Sequence, residues 1–406
     1  MRDWCETEPV MLVEALGASV RDSHGRWYLD GNASIWTNLH GHRHPRLDAA
    51  VQRQLLHFAH TSFLGLTHPA AAQLSAELVA LWPPNTLSRV FLSDNGSTAI
   101  EVALKMAGQY WQLVGRPEKQ RFVAFEGAYH GDTLGASSLG GVATFTQRFA
   151  AWHLPVDRVD SLAALEAVSA GAVAAVVIEP LVQGANQMRL WPAGLLAQVR
   201  EWCDRKGVFL IADEVMTGFG RTGTLFACEQ EGVVPDFVAL AKGLTGGYMP
   251  LAATLTTERV FEAFLGGAER TLYYGHSYAG HALACAVALE NLAIFREEGV
   301  LSRLQTQIQR MGALFDQLLR PSPFVHEIRQ CGFLAGIELR AADGAAFPAG
   351  LGMGARVCVA ARKFGLLTRP VRDTVILMPP YCIKDSELDQ AVRAIAAGIE
   401  ECCTKP

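Results

Sequence analysis

No run in this 406-residue sequence approaches the ~18 to 20 consecutive apolar residues that span a bilayer, although hydrophobic residues make up 50% of it. The opening Met1-Arg2-Asp3-Trp4-Cys5-Glu6 lacks the apolar core of a signal peptide, so the expected location is the cytoplasm and no membrane partner is expected. Charge is also sparse. Charged residues are 18% of the chain and the net charge is −5, without a basic cluster or interleaved aromatic tract, which argues against a nucleic-acid surface. The nine cysteines contain no Cys-x-x-Cys pair, which fits reduced thiols better than disulfides or zinc. His40, His42 and His44 alternate, but no Cys, Asp or Glu stands nearby at ligand spacing, so they read as a turn lining a pocket and no metal is expected. No internal repeat or low-complexity linker interrupts the chain.

What is present centres on Lys242. It follows the apolar run Phe237-Val238-Ala239-Leu240-Ala241 and opens the glycine-rich loop Gly243-Leu244-Thr245-Gly246-Gly247. Upstream, Asp213 ends a second apolar run, Val208-Phe209-Leu210-Ile211-Ala212. Two buried strands that each deliver a charged residue at the carboxyl end present an aldehyde-capturing amine and a carboxylate to one pocket. That pairing suits pyridoxal 5'-phosphate, whose aldehyde takes the lysine and whose ring nitrogen is kept protonated by the carboxylate. Taken singly, Lys242 reads as a solvated loop residue and Asp213-Glu214 as a helix cap.

Further pieces fit the same cofactor. Arg89-Val90-Phe91-Leu92-Ser93 followed by Asp94-Asn95-Gly96-Ser97-Thr98 supplies a strand, a tight turn and a helix start for a phosphate, with Gly96 allowing close backbone approach and Ser97 adding a hydroxyl. The same residues also make an ordinary capped turn. Tyr129, in Tyr129-His130-Gly131-Asp132 after the strand Arg121–Phe125, offers a ring against which a planar cofactor can lie.

Apolar β-like runs alternate with helical patterns, which predicts an α/β fold with a mostly parallel sheet covered on both faces. The expected strands are Val90–Ser93, Arg121–Phe125, Val173–Ile178, Val208–Ala212, Phe237–Ala241 and Leu251–Leu255. Expected helices include Leu47–Phe58, with Leu47, Val51, Leu55 and Phe58 on one face, Ala99–Trp111, Tyr278–Phe295 and Asp385–Glu401. Two more strands are expected around Phe333–Glu338 and Val375–Met378. Residues 1–38 and 291–406 read as a smaller α+β domain, and residues 39–290 as the large cofactor-binding domain.

Asn95-Gly96-Ser97-Thr98-Ala99-Ile100-Glu101, Tyr129-His130-Gly131-Asp132, Ile178-Glu179-Pro180, the run Ala212–Gly223 and Ala241-Lys242-Gly243 together resemble the class III aminotransferases of PLP fold type I. The likeness is collinear from about Asp30 to Tyr381. Leu39-His40-Gly41-His42, Gly246-Gly247-Tyr248-Met249-Pro250, Gly275-His276-Ser277-Tyr278 and Leu377-Met378-Pro379-Pro380 resemble the biotin-pathway branch of that family. The resemblance implies transamination of 8-amino-7-oxononanoate, with S-adenosylmethionine as the usual amino donor and lysine in some relatives. It implies catalytic roles for Lys242, Asp213 and Tyr129, cofactor contacts from Gly96, Ser97, His276 and Ser277, and substrate contacts from Ile35, Trp36, Gly275, Arg221 and Arg369. His276 and Ser277 would reach the cofactor phosphate of a neighbouring subunit, which implies a homodimer with shared sites.

Arg369 in Leu367-Thr368-Arg369-Pro370 matches the arginine that reads the oxo acid's carboxylate, for which a planar guanidinium is suited. Arg221 is expected to be structural or donor-contacting. Three departures stand out. Ala33-Ser34-Ile35-Trp36 keeps one aromatic where the family often has two, Gly141–Ala172 is shorter than usual, and the aromatic-Pro segment that the family carries before the position of Met1 is expected to lie upstream. An ω-amino acid:pyruvate transaminase, a PLP aminomutase and a non-catalytic PLP-fold binder stay open as alternatives.

Overall fold

The structure, a computed structural model, describes residues 9–404. The chain divides into two compact units, one of residues 1–48 with 302–406 and one of residues 49–301. In chain order the strands of the first segment are β1 (Leu12–Leu16), β2 (Ser19–Asp22) and β3 (Trp27–Asp30).

The larger unit is built on β4 (Leu87–Ser93), β5 (Arg121–Phe125), β6 (Val156–Val159), β7 (Val173–Ile178), the short hairpin β8 (Val182–Gln183) and β9 (Arg189–Leu190), β10 (Phe209–Asp213), β11 (Phe237–Leu240) and β12 (Ala252–Thr257). Seven of them form one sheet in the order β4-β12-β11-β10-β7-β5-β6. Every neighbouring pair from β11 to β6 is parallel, and β12 runs antiparallel to both β11 and β4. Strands of a parallel sheet are buried on both faces, so they read as unbroken apolar runs: all six residues of β7 are buried, as are all of β10 and β11. The helix Gly96–Leu113 packs its apolar side on this sheet, where Tyr110 and Trp111 each set their rings 4.9 Å from Phe209, and Phe209 lies 5.4 Å from Phe237. Each such large side chain removed from water contributes on the order of 1.5 to 3 kcal/mol.

The smaller unit continues with β13 (Val325–Cys331), β14 (Leu334–Leu339), β15 (Leu366–Leu367), β16 (Pro370–Val371) and β17 (Thr374–Leu377). It holds two four-stranded sheets, β1-β2-β3-β15 and β13-β14-β17-β16, together with the helices Met353–Ala361 and Asp385–Cys403. Among the described residues no helix is long and apolar enough to cross a membrane.

Two expected helices change at their ends. The helix expected at Leu47–Phe58 is Pro45–Leu55, and Leu55, placed on its buried face, is 53% exposed. The helix expected from Tyr278 starts at Ala282, because Gly280 takes φ +65°, a left-handed conformation that cannot belong to a right-handed helix.

Candidate active site

Four neighbouring parallel strands, β11, β10, β7 and β5, each release a functional group just past the carboxyl end. Parallel strands of an open sheet all point the same way, so these ends line one crevice, which is where open α/β sheets bind ligands. Asp213 ends β10 and is paired in register with Ala239 of β11; Lys242 stands two residues beyond the end of β11. Lys242 takes φ +40°, a left-handed conformation rare for a non-glycine residue, and begins a tight turn through Thr245. That turn is secured from behind by the buried Asn291, whose amide donates to the carbonyls of Gly243 at 2.9 Å and Leu244 at 3.0 Å.

Asp213 is buried and doubly held. His130 Nδ1 lies 2.7 Å from its Oδ2, and the Val215 N–H donates to Oδ1 at 3.1 Å. His130, past the end of β5, is itself buried, and its Nε2 has no hydrogen-bond partner among the described residues. Burial works against a charged imidazole there, but the hydrogen bond and charge of Asp213 outweigh it and raise the pKa above the ordinary histidine value. Glu179 follows β7 and completes the cluster. Its carboxyl accepts the N–H groups of Tyr129 at 3.1 Å and Gly184 at 2.9 Å. Burial, with Asp213 nearby, pushes its pKa up to about 7 against the pull of His130 and those two N–H donors.

At the end of β4 the chain turns through Asp94 and Asn95 into the helix Gly96–Leu113. Asn95 caps it by accepting from the Thr98 N–H at 3.1 Å, while the Thr98 hydroxyl accepts from the Asn95 N–H, also at 3.1 Å. The caps leave the N–H groups of Gly96 and Ser97 at the positive end of an 18-residue helix. The loop carrying Tyr129 closes over this helix start: the Asp132 N–H donates to Ser97 Oγ at 3.1 Å, and Gly131, at φ +130°, sits so close that a Cβ there would lie 2.1 Å from Ser97 Oγ. Tyr129 is half-buried, with its hydroxyl donating to Asp132 at 2.9 Å.

His276 lies at the same helix entry, with Nδ1 2.5 Å from Asp94. The following segment is tied down by His60, whose Nε2 donates to the Ser277 carbonyl at 2.7 Å, and by His68, which does the same to Gly280 at 2.6 Å. Gly275 and Ser277 are exposed. Arg221 is buried in the turn Gly220–Gly223, which places it inside the unit rather than on its surface.

The smaller unit holds the other expected residues. Ala33, Ser34, Ile35 and Trp36 all have positive φ, from +42° to +69°, and so form a left-handed turn without a glycine. L-residues disfavour this conformation by about 1 to 2 kcal/mol each. Ile35 projects, 53% exposed, whereas Trp36 is tucked in with its indole N–H donating to Asn32 Oδ1 at 2.8 Å. Arg369 lies between β15 and β16, where its carbonyl accepts the Ile376 N–H at 3.2 Å. Its guanidinium is exposed and makes no hydrogen bond or ion pair among the described residues. His42, one of the alternating histidines, is bonded to Asp30, and no group of residues able to hold a metal occurs among the described residues.

A profile of the family described as Aminotransferase class-III matches residues 3–399. The chain belongs to the class-III aminotransferases. It is 45% identical to the adenosylmethionine-8-amino-7-oxononanoate aminotransferase of Nitratidesulfovibrio vulgaris, covering 98% of this chain and 78% of that protein. The enzyme of the same description from Geobacter sulfurreducens is 43% identical, covering 98% and 94%. Among solved structures, the crystal structure of that enzyme from Methanocaldococcus jannaschii superposes with a TM-score of 0.95 at 34% identity, covering 99% of this chain and 95% of that one.

Within this aminotransferase the structure brings Asp213 and Tyr129 to one cluster through His130 and Glu179, and sets Gly96, Ser97 and His276 together at one helix entry. Ile35 and Trp36 share the left-handed turn. His130 and Glu179 stood in the motifs that carry the resemblance but were given no role of their own, and Asn291 was not singled out by sequence reasoning. Glu179 carried a usable signal, since it follows the six-residue apolar run Val173–Ile178 as Asp213 and Lys242 follow theirs. Asn291 carried none, being one polar residue in a long helix.

Proposed function

We propose that this aminotransferase uses pyridoxal phosphate to pass an amino group from S-adenosylmethionine to the ketone of 8-amino-7-oxononanoate, giving 7,8-diaminononanoate. The observation that carries the reading is the delivery of Lys242, Asp213 and the Tyr129-His130 pair from parallel strands of one sheet beside a capped helix start. The substrate assignment follows the relatives at 43% and 45% identity.

The residues present fit the cofactor. Asp213, acceptor-only when ionised and already oriented by His130 and Val215, has lone pairs left for a ring N–H. Gly96 and Ser97 offer backbone donors for a phosphate, and Gly131 has no side chain to crowd Ser97. The half-buried Tyr129 ring offers a face for the cofactor ring. When bound, pyridoxal phosphate supplies an aldehyde that takes up the amino group and a ring that accepts electrons from the neighbouring carbon.

Lys242 would have two duties: its amine would hold the cofactor by the aldehyde, and the same amine would serve as the base that moves a proton at the reacting carbon. Holding that amine beside the reacting carbon is worth as much as ~7 to 11 kcal/mol in ideal intramolecular geometry. Asp213 would hold the cofactor's ring nitrogen in its protonated form. Glu179 fixes the backbone of Tyr129 and hence its ring. Arg369 reads the oxo acid's carboxylate, for which an exposed guanidinium without a hydrogen bond or ion pair among the described residues is suited. Ile35 and Trp36 give an apolar wall for the carbon chain, Gly275 leaves room beside it, and Arg221 serves the interior of its unit.

The working form is a cytoplasmic homodimer in which His276 and Ser277 serve the cofactor phosphate of the second subunit. Support comes from large apolar side chains left in water at this segment: Leu64, which reaches Gly275, is 82% exposed and Tyr273 is 78% exposed.

The test is a donor screen with purified protein and 8-amino-7-oxononanoate. Diaminononanoate is expected with S-adenosylmethionine, from a yellow protein in which borohydride fixes the cofactor to Lys242. Turnover with lysine in its place would move the donor assignment, and amination of pyruvate but not the oxo acid would overturn the substrate.

A further inference from the structure

Asp30 is the last residue of β3 and is buried. Its carboxylate accepts three hydrogen bonds, from the Ser34 N–H at 3.1 Å, from the Ser34 hydroxyl at 2.8 Å and from His42 Nε2 at 3.2 Å. Both Ser34 bonds fall inside the left-handed turn Ala33–Trp36, and Ser34 itself has φ +49°. The rest of the turn is closed by its own backbone, with Trp36 N–H donating to the Asn32 carbonyl at 2.8 Å and Thr37 N–H to the Ala33 carbonyl at 2.9 Å. A stretch of four L-residues in this conformation does not persist unless the surroundings over-determine it. Asp30 supplies that determination at the turn's entry, and His42 fixes Asp30 from the other side.

The consequence is directional. Relaxed to ordinary negative φ, the same residues would turn their side chains elsewhere; held left-handed, Ile35 projects while Trp36 stays tucked against Asn32. We propose that Asp30 is a positioning residue: anchored by His42, it holds Ala33–Trp36 left-handed and so shapes the apolar wall that meets the oxo acid. The inference rests on the assignment of Ile35 and Trp36 to substrate binding given above.

The test compares Asp30→Asn, His42→Ala and His42→Gln with the wild type, each as the cofactor-loaded enzyme. Asparagine keeps the size of Asp30 but replaces one acceptor oxygen with a donor that opposes Ser34 and His42. Asp30→Asn is expected to raise KM for 8-amino-7-oxononanoate by about tenfold or more, with kcat within about threefold. Cofactor retention and the visible spectrum should not change. Hydrogen exchange at the Trp36 and Thr37 amides should speed up by about tenfold or more. His42→Ala should move both readouts the same way by less, and His42→Gln, whose amide N–H can stand where Nε2–H stood, should restore them.

Adding Ser34→Ala to Asp30→Asn should make KM no worse, since Asp30 acts through Ser34. Unchanged protection of Trp36 and Thr37 in Asp30→Asn, or lost protection with KM unaltered, would overturn the proposal. Should Asp30→Asn fail to fold, the two His42 variants and Ser34→Ala decide it by the same readouts. If the wild type aminates a different acceptor, the substrate reading falls, while the same KM shift on that acceptor together with lost amide protection would still support the latch.

Discussion

Replacing Glu179 with glutamine removes a carboxyl that the fold keeps protonated well above its ordinary range. Burial is the first cause, and the nearby charge of Asp213 adds to it, so Glu179 titrates near 7 rather than 4.5. In the unfolded chain the proton leaves near 4.5; in the native protein it stays until about 7. Within that window the unfolded state binds fewer protons, so stability falls as pH rises. The contribution is fully present below about 4.5 and lost once pH passes about 7, and at about 1.4 kcal/mol per pH unit the loss is roughly 3 kcal/mol.

Glutamine has no proton to lose over this range. It also has one acceptor oxygen for two N–H groups, those of Tyr129 and Gly184, so Glu179→Gln is expected to be less stable at acidic pH by about 1 to 3 kcal/mol. Urea unfolding of both proteins at several pH values between about 5 and 8 should show the wild-type advantage shrinking or reversing as pH rises, by about 2 to 3 kcal/mol. A gap that stayed constant across that range would refute the reasoning, because the native carboxyl would then be ionised throughout.

Three further outcomes are expected. Asp213→Asn removes the charge that faces the buried His130 and leaves it at best a neutral amide oxygen, so cofactor affinity and stability should fall together, by about 3 to 5 kcal/mol in unfolding free energy, and the His130 imidazole should titrate lower by NMR. Gly131→Ala would put a methyl group 2.1 Å from Ser97 Oγ at a φ of +130°, so cofactor binding by equilibrium dialysis should weaken by about tenfold or more, and near-normal binding would remove the Ser97 entry from the phosphate site. Arg369→Ala should lose about 1.5 to 3 kcal/mol of binding in the half-reaction with 8-amino-7-oxononanoate and less in that with the amino donor; equal losses in stopped-flow traces of both would make it a general organiser of the pocket.

The parts of this molecule that were legible in the sequence are those where one local rule acts alone. A strand buried on both faces must be apolar at every position, which is why β7, β10 and β11 stand out as unbroken runs and why a charged residue at the end of such a run is conspicuous. The edge strand β6, Val-Asp-Arg-Val, follows another pattern: with one side of the strand unpaired, it carries Asp157, which meets Arg121 of β5, and no apolar run announces it. The Asp213–His130 bond joins residues 83 positions apart, and only the strand order β10-β7-β5 makes them neighbours.

The left-handed turn is the hardest case, because its conformation contradicts the local preference of every residue in it. Ala, Ser, Ile and Trp all disfavour positive φ, Ile most strongly through its branched Cβ, so no propensity argument places Ala33–Trp36 there. What places them is a carboxylate four residues upstream of Ser34, bonded in turn to a histidine twelve residues away from it. A sequence rule that reads one element at a time cannot see this, since the strain lies in one segment and its restraint comes from two others. The same separation makes the arrangement testable, because Asp30 and His42 can be altered without touching the side chains of Ile35 and Trp36.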